Sequence, residues 1–275
     1  MKKYKNLYKT LGRKSTKLMS FLARSRQSVF STKEAAKILE TNTYKVRELL
    51  SELVKKGWLL RLEKGKFLVI PLNVDVNQPY TENQFIIASK LAPVPYYIGF
   101  WSALNYYGYT EQLSNTVFIA TSRRKREINI TGVTYRFLTI AVYKIFGLIE
   151  IKISTTSVQV SDKEKTIIDC LDHPEYCGGI MEVAKGIWSA KDDIDFQKLI
   201  SYTRNMRNLA ITKRLGYITE VLKLNKQVEI KGLQKKLSKG YSSLDPTLPK
   251  KGRYSSKWKL LVNIPQEDIL SVKKV

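Results

Sequence analysis

At Gly57 the apolar period of this sequence changes, and no other feature constrains the N-terminal part as much. Before it, Thr43 to Lys56 carries Val46, Leu49, Leu50 and Leu53 at i, i+3, i+4 and i+7, the spacing of one helix face. After it, Trp58-Leu59-Leu60-Arg61-Leu62-Glu63 and Lys66-Phe67-Leu68-Val69-Ile70 read as two strands. Lys64-Gly65 joins them as a tight turn, with glycine free to take a positive φ. Gly57 itself suits the left-handed residue that ends a helix. Pro71 closes the second strand.

Upstream, Ser15 to Gln27 predicts a helix with Leu18, Phe21 and Leu22 on one side. Val29-Phe30 suits a very short strand. Ser31-Thr32-Lys33-Glu34 has the form of a capping box opening a helix with Ala35, Ala36, Ile38 and Leu39. Glu40-Thr41-Asn42 is a polar break before the third helix. Helix, helix, short turn, helix, hairpin is the plan of a winged helix-turn-helix over residues 1–72.

Charge gives that unit a partner. The chain has 275 residues and a formal net charge of +24. Residues 1–70 hold 18 Lys+Arg against 5 Asp+Glu, so about a quarter of the chain carries more than half of the excess. Such asymmetry points to a polyanion. A helix of this size fits the major groove of a duplex, with its N-terminal residues nearest base edges. The expected contacts on the third helix are Thr43, Tyr44, Lys45, Arg47 and Ser51, with Arg47 able to donate two bonds to a guanine edge. On the wing they are Arg61, Lys64 and Lys66. Lys2, Lys3, Lys5, Lys9, Arg13 and Lys14 form a basic lead-in suited to phosphates. The other reading of such a unit is a winged helix used for protein contacts.

Residues 71–80 read as a linker, and residues 80–275 as a second, larger α+β domain with material for its own core. Helices are expected from Thr81 to Leu91 and from Ser102 to Tyr107, then strands at Val117 to Ala120, Glu127 to Ile130, Val133 to Ile140, Leu148 to Ile153 and Ser157 to Val160. Asp162 to Leu171, Gly179 to Ala190, Asp195 to Arg204, Ala210 to Leu224 and Glu229 to Leu237 read as helices. A Gly- and Pro-bearing tail, Gly240 to Arg253, leads to a last strand at Trp258 to Val262. Arg123-Arg124-Lys125-Arg126 reads as a basic turn, either a second nucleic-acid contact or a solvated hairpin tip.

The chemistry-bearing residues are sparse. His173 is the only histidine and no nucleophile motif accompanies it, so no catalytic residue is assigned. Cys170, His173 and Cys177 offer three ligands where a structural zinc site needs four, so buried thiols are expected and no metal. Gly178-Gly179 followed by Asp192-Asp193 superficially matches the glycine pair and carboxylate pair of nucleotidyltransferases. Here Gly179 opens a helix, and Asp192, Asp193 and Asp195 suit caps for the next one. No phosphate-binding glycine loop appears, and no cofactor is expected. Two cysteines, apolar runs too short for a bilayer and a basic start without an apolar stretch after it together predict a cytoplasmic, reduced protein without membrane contact.

Several segments in order resemble the AbiEi-type antitoxins, a family of transcriptional regulators. They are the winged helix, Pro95 to Leu104, Val117 to Thr121 with the arginines after it, and Val160 to Asp169 with Gly178-Gly179-Ile180. Arg214 to Ile218 and Trp258 to Asn263 complete them. The resemblance implies a repressor that binds an inverted repeat in its own promoter as double-stranded DNA. It also implies that the chain neutralises a nucleotidyltransferase toxin encoded beside it without forming a stable complex. It implies a C-terminal domain related to a nucleotidyltransferase-like fold lacking the active site. Two alternatives stay open: a free-standing regulator whose second domain senses a ligand or oligomerises, and a nucleotidyltransferase with a DNA-targeting domain.

Overall fold

The computed structural model describes residues 11–71, 82–224, 230–234 and 237–274. The 71–80 linker, but for Pro71, and the first lysines of the basic lead-in lie outside them. The chain forms two compact units. One comprises the described residues to Ala92 with Asn129–Val133 and Ile151–Val158; the other holds the remainder.

The first unit begins with α1 (Arg13–Arg24), β1 (Val29–Ser31), α2 (Thr32–Ile38) and α3 (Thr43–Lys55). The hairpin β2 (Leu59–Glu63) and β3 (Lys66–Val69) follows, and then α4 (Gln84–Leu91). β1, β3 and β2 form an antiparallel sheet in that order, and Glu63 pairs with Lys66 around the Lys64-Gly65 turn. Gly65 sits at φ 79° and Gly57 at φ 71°, backbone that β-carbon-bearing residues rarely adopt. The capping box at Ser31 is present on both sides, and Asn42 caps α3 by accepting from the Lys45 amide at 3.0 Å. Leu18, Leu22, Phe30, Ala35, Val46, Leu50, Leu53, Leu59 and Phe67 close the core. These helices and this small sheet are consistent with a winged helix-turn-helix.

The second unit starts with β4 (Tyr96–Ile98) and α5 (Phe100–Tyr106). β5 (Thr116–Thr121), β6 (Ile128–Ile130), β7 (Val133–Thr139), β8 (Leu148–Ile153) and β9 (Thr156–Ser161) come next, with 129–130 of β6, Val133 of β7, 151–153 of β8 and 156–158 of β9 counted in the first unit. The sheet order is β6-β7-β5-β4-β9-β8. β4 was not expected: three residues close behind prolines give no visible period, yet they pair with both β5 and β9 at the centre of the sheet. β5 and β7 are parallel, and β6 lies on the far side of β7. Arg123–Arg126 therefore lies in an irregular crossover between β5 and β6, which removes the hairpin-tip alternative.

Helices α6 (Lys163–Asp172), α7 (Ile180–Ala190), α8 (Phe196–Asn205), α9 (Leu209–Val221) and α10 (Ile230–Gln234) follow. The Gly240 to Arg253 stretch is not a loose tail. It contributes β10 (Ser242–Ser243) and β11 (Arg253–Ser255), which flank β12 (Leu260–Val262), and α11 (Gln266–Ser271) comes after. Leu244 and Asp245 in it are buried. Trp258 sits in the turn before β12 instead of in the strand, with its buried ring against α9.

α6 is charged yet buried along its length. Its charges are matched one by one. Lys165, 0% exposed, pairs with Asp169 and donates to the Tyr97 hydroxyl at 2.9 Å. Glu164 takes Lys198 at 2.7 Å, and Asp172 takes Lys144 at 2.6 Å. Among the described residues no helix is long and apolar enough to cross a membrane.

Candidate nucleic-acid interface

α3 presents Thr43, Arg47, Ser51 and Lys55 at four-residue steps, which align on one face of a helix. That face forms one wall of a cleft of about 810 Å³. The hairpin supplies Arg61, Lys64, Gly65 and Lys66, and the start of α2 supplies Ser31, Thr32 and Lys33. The Thr32 amide donates to the Gly65 carbonyl at 2.9 Å, tying the wing turn to α2. Six of the expected contacts, Thr43, Arg47, Ser51, Arg61, Lys64 and Lys66, thus line one cleft.

Tyr44 and Lys45 do not line it. They lie on the first turn of α3, both exposed, Tyr44 at 71%. Two further cations, Lys33 and Lys55, do line it and were not expected. Lys55 was legible as the next step of the 43-47-51 series. Lys33 was hidden inside the capping box.

The charges in the cleft are unequal. Lys66 pairs with Glu63 at 2.9 Å and donates to the Lys90 carbonyl, so its ammonium is engaged within the protein. Among the described residues no ion pair takes up Lys33, Arg47, Lys55, Arg61 or Lys64. Five such cations around one cleft repel one another, and an incoming chain of phosphates relieves that repulsion.

The comparisons with known proteins bear on this segment. Residues 17–70 match the AbiEi antitoxin family of transcriptional regulators. The AbiEi-type match runs from within α1 to the end of β3 and so takes in α2, α3 and the hairpin, the elements that build the cleft. The crystal structure of the RV2827C protein from Mycobacterium tuberculosis is similar with a TM-score of 0.68 at 15% identity. It covers 97% of this chain and 96% of that one, so the likeness in fold runs far past the AbiEi-type segment. No curated protein matches the chain.

The other residues singled out by their chemistry fall in the second unit. Arg123, Arg124 and Arg126 are exposed on the β5–β6 crossover, whereas Lys125 is half-buried over the Phe137 ring at 4.9 Å. Cys170 and Cys177 are buried and free, and burial raises the Cys177 thiol. The His173 ring bonds Glu175 at 2.8 Å.

Gly178 and Gly179 sit at φ 78° and 85°, and Gly179 leads directly into α7. Asp245 accepts from the Ile180 amide at 2.8 Å, and a β-carbon on Gly179 would lie 3.0 Å from that carboxylate. The glycine pair is thus explained by a helix start. Of the three aspartates expected as caps, only Asp195 is one, accepting from the Gln197 and Lys198 amides. Asp192 pairs with Lys191 at 3.0 Å. Asp193 bonds Lys163 and Tyr109, which hold its carboxyl below the ordinary range. Among the described residues no group of acids, histidines or cysteines is arranged to hold a metal ion.

Proposed function

We propose that this protein is a DNA-binding transcriptional regulator that reads duplex DNA through the cleft between α3 and the wing. The observation that carries this reading is the convergence of Lys33, Arg47, Lys55, Arg61 and Lys64 from three elements onto one cleft. Residues 1–72 act as the DNA-binding domain. Arg47 in the cleft meets a base edge, Thr43, Tyr44 and Lys45 on the first turn of α3 serve phosphates or bases beside it, and the wing meets the neighbouring backbone. Arg123, Arg124 and Arg126 offer a second phosphate contact.

The target is an inverted repeat in the protein's own promoter. The 80–275 domain neutralises a nucleotidyltransferase toxin encoded beside it, without a stable complex and without transferase chemistry of its own. The AbiEi antitoxin match over residues 17–70 supports this part.

The test is duplex binding across a salt series, followed by footprinting on the upstream DNA. Phosphate-dominated binding weakens steeply and log-linearly with salt. A flat response, or no binding at low salt, would refute the reading. Co-expression with the adjacent reading frame tests neutralisation. Nucleotide transfer by the purified chain, abolished by Asp192→Ala and Asp193→Ala, would replace the regulator with an enzyme.

A further inference from the structure

The second unit holds a cleft of about 470 Å³ lined by the end of α9, the turn between β11 and β12, and α11. Its charged lining is Glu220, Lys223, Arg253 and Lys257. Glu220 is already occupied: it pairs with Lys257 and accepts from the Trp258 indole at 2.5 Å. Arg253 donates to the neutral Gln266 side chain at 3.1 Å. Among the described residues neither Arg253 nor Lys223 has a carboxylate partner.

Tyr217 lines the same cleft and is only 7% exposed. Among the described residues its hydroxyl finds no acceptor; the polar group beside it is the Arg253 guanidinium, itself only a donor. A buried O–H without an acceptor is costly and uncommon. Burial raises the phenol above its ordinary value, with Glu220 and Glu267 adding to the effect against Arg253. The hydroxyl therefore keeps its proton at neutral pH and acts as a donor. Guanidinium and ammonium groups are donors as well. The missing component is an acceptor, and the surrounding charge selects an anionic one.

We propose that this cleft binds a phosphoryl group, with Tyr217 and Arg253 donating to its oxygens and Lys223 adding positive charge. A phosphoryl group has enough oxygens for a phenol and a guanidinium fork at once. The cleft volume falls in the range of small-ligand pockets, so a phosphate monoester of nucleotide size fits it. The site is independent of the α3–wing cleft and shares no residue with it.

The experiment is calorimetric titration of the full chain with inorganic phosphate, a nucleoside 5′-monophosphate, and an oligoribonucleotide with or without a 5′-phosphate. Saturable binding of the phosphorylated probes is expected. Tyr217→Phe, which removes one oxygen, should weaken it about tenfold, and Arg253→Gln should weaken it further. A 5′-phosphorylated strand binding more tightly than the mononucleotide identifies a strand end as the source; equal binding identifies a small molecule. Thermal unfolding of ligand-free Tyr217→Phe checks that the fold is intact. Absence of saturable binding, or binding unchanged by both substitutions, overturns the proposal.

Discussion

The Ser31 amide donates to Glu34 Oε2 at 2.7 Å while the Ser31 hydroxyl accepts from the Glu34 amide at 3.2 Å. This reciprocal cap fixes the start of α2 one residue before the Thr32 bond to the wing turn, so it also locates a wall of the cationic cleft. Ser31→Ala should cost about 1 kcal/mol of stability, read from urea unfolding.

The same pair makes the first unit acid-sensitive. Burial pushes the Glu34 carboxyl up, but hydrogen bonds from Ser31 and Gln27 more than offset that and hold it below its ordinary value of 4.5. A depressed folded value means stability that is present above pH 4.5 and lost as pH falls through the folded value. Glu34→Gln should flatten that acid limb of the unfolding curve; an unchanged acid limb would show that Glu34 does not contribute.

Gly216 supports α9 against Trp258 in the second unit. Alanine in a helix interior ordinarily gains about 1 kcal/mol over glycine. Here a β-carbon would fall 2.0 Å from Trp258 Cζ3, and that ring is buried with its nitrogen bound to Glu220. Gly216→Ala should instead destabilise by about 1–3 kcal/mol through overpacking. A midpoint at or above wild type would contradict this.

What could be read in advance divides along physical lines. The winged unit was legible because its signals are local: a capping box, a helix-spaced apolar face, a glycine stop and a two-residue turn all act within a few residues. β4 was not, because Tyr96–Ile98 owes its central place to partners at Thr121, Ala120, Ile119 and Val160, distant in sequence. The packed course of Gly240 to Arg253 was hidden for the same reason. Asp245 matters through an amide 65 residues away. In the cleft, the α3 series was visible from spacing, whereas the loss of Lys66 to Glu63 and Lys90 was not.

Lys165 and Asp169 form an ion pair buried inside the second unit, with Tyr97 donating to Asp169 at 2.9 Å. Burial alone drives the Asp169 carboxyl up, and Lys165 is the main group working against it. Removing one partner strands the other charge in a low-dielectric interior. Lys165→Met and Asp169→Asn should each cost about 3–5 kcal/mol, and the double variant clearly less than their sum. A double-mutant cycle by chemical unfolding measures the difference; simple additivity would show that the two side chains do not act as a pair.

Within the proposed DNA reading, the cleft predicts a ranking among its cations. Arg47 projects from α3 with its guanidinium uncommitted, and a bidentate contact to guanine is worth about 1–3 kcal/mol of discrimination. Arg47→Ala should therefore lower preference for the operator over an unrelated duplex by that amount. Lys64 sits at the tip of the wing turn, where a phosphate contact carries no base information. Lys64→Ala should weaken both duplexes alike and reduce the slope of log affinity against log salt by about 1. Lys55→Ala should behave like Lys64→Ala. Lys66→Ala should do much less, because its ammonium is held by Glu63 and the Lys90 carbonyl. Gel-shift or fluorescence anisotropy titrations on the two duplexes across a salt series separate these outcomes. If Arg47→Ala shifts both duplexes equally, Arg47 is a phosphate contact; if Lys66→Ala matches Lys64→Ala, the Glu63 pair opens on binding.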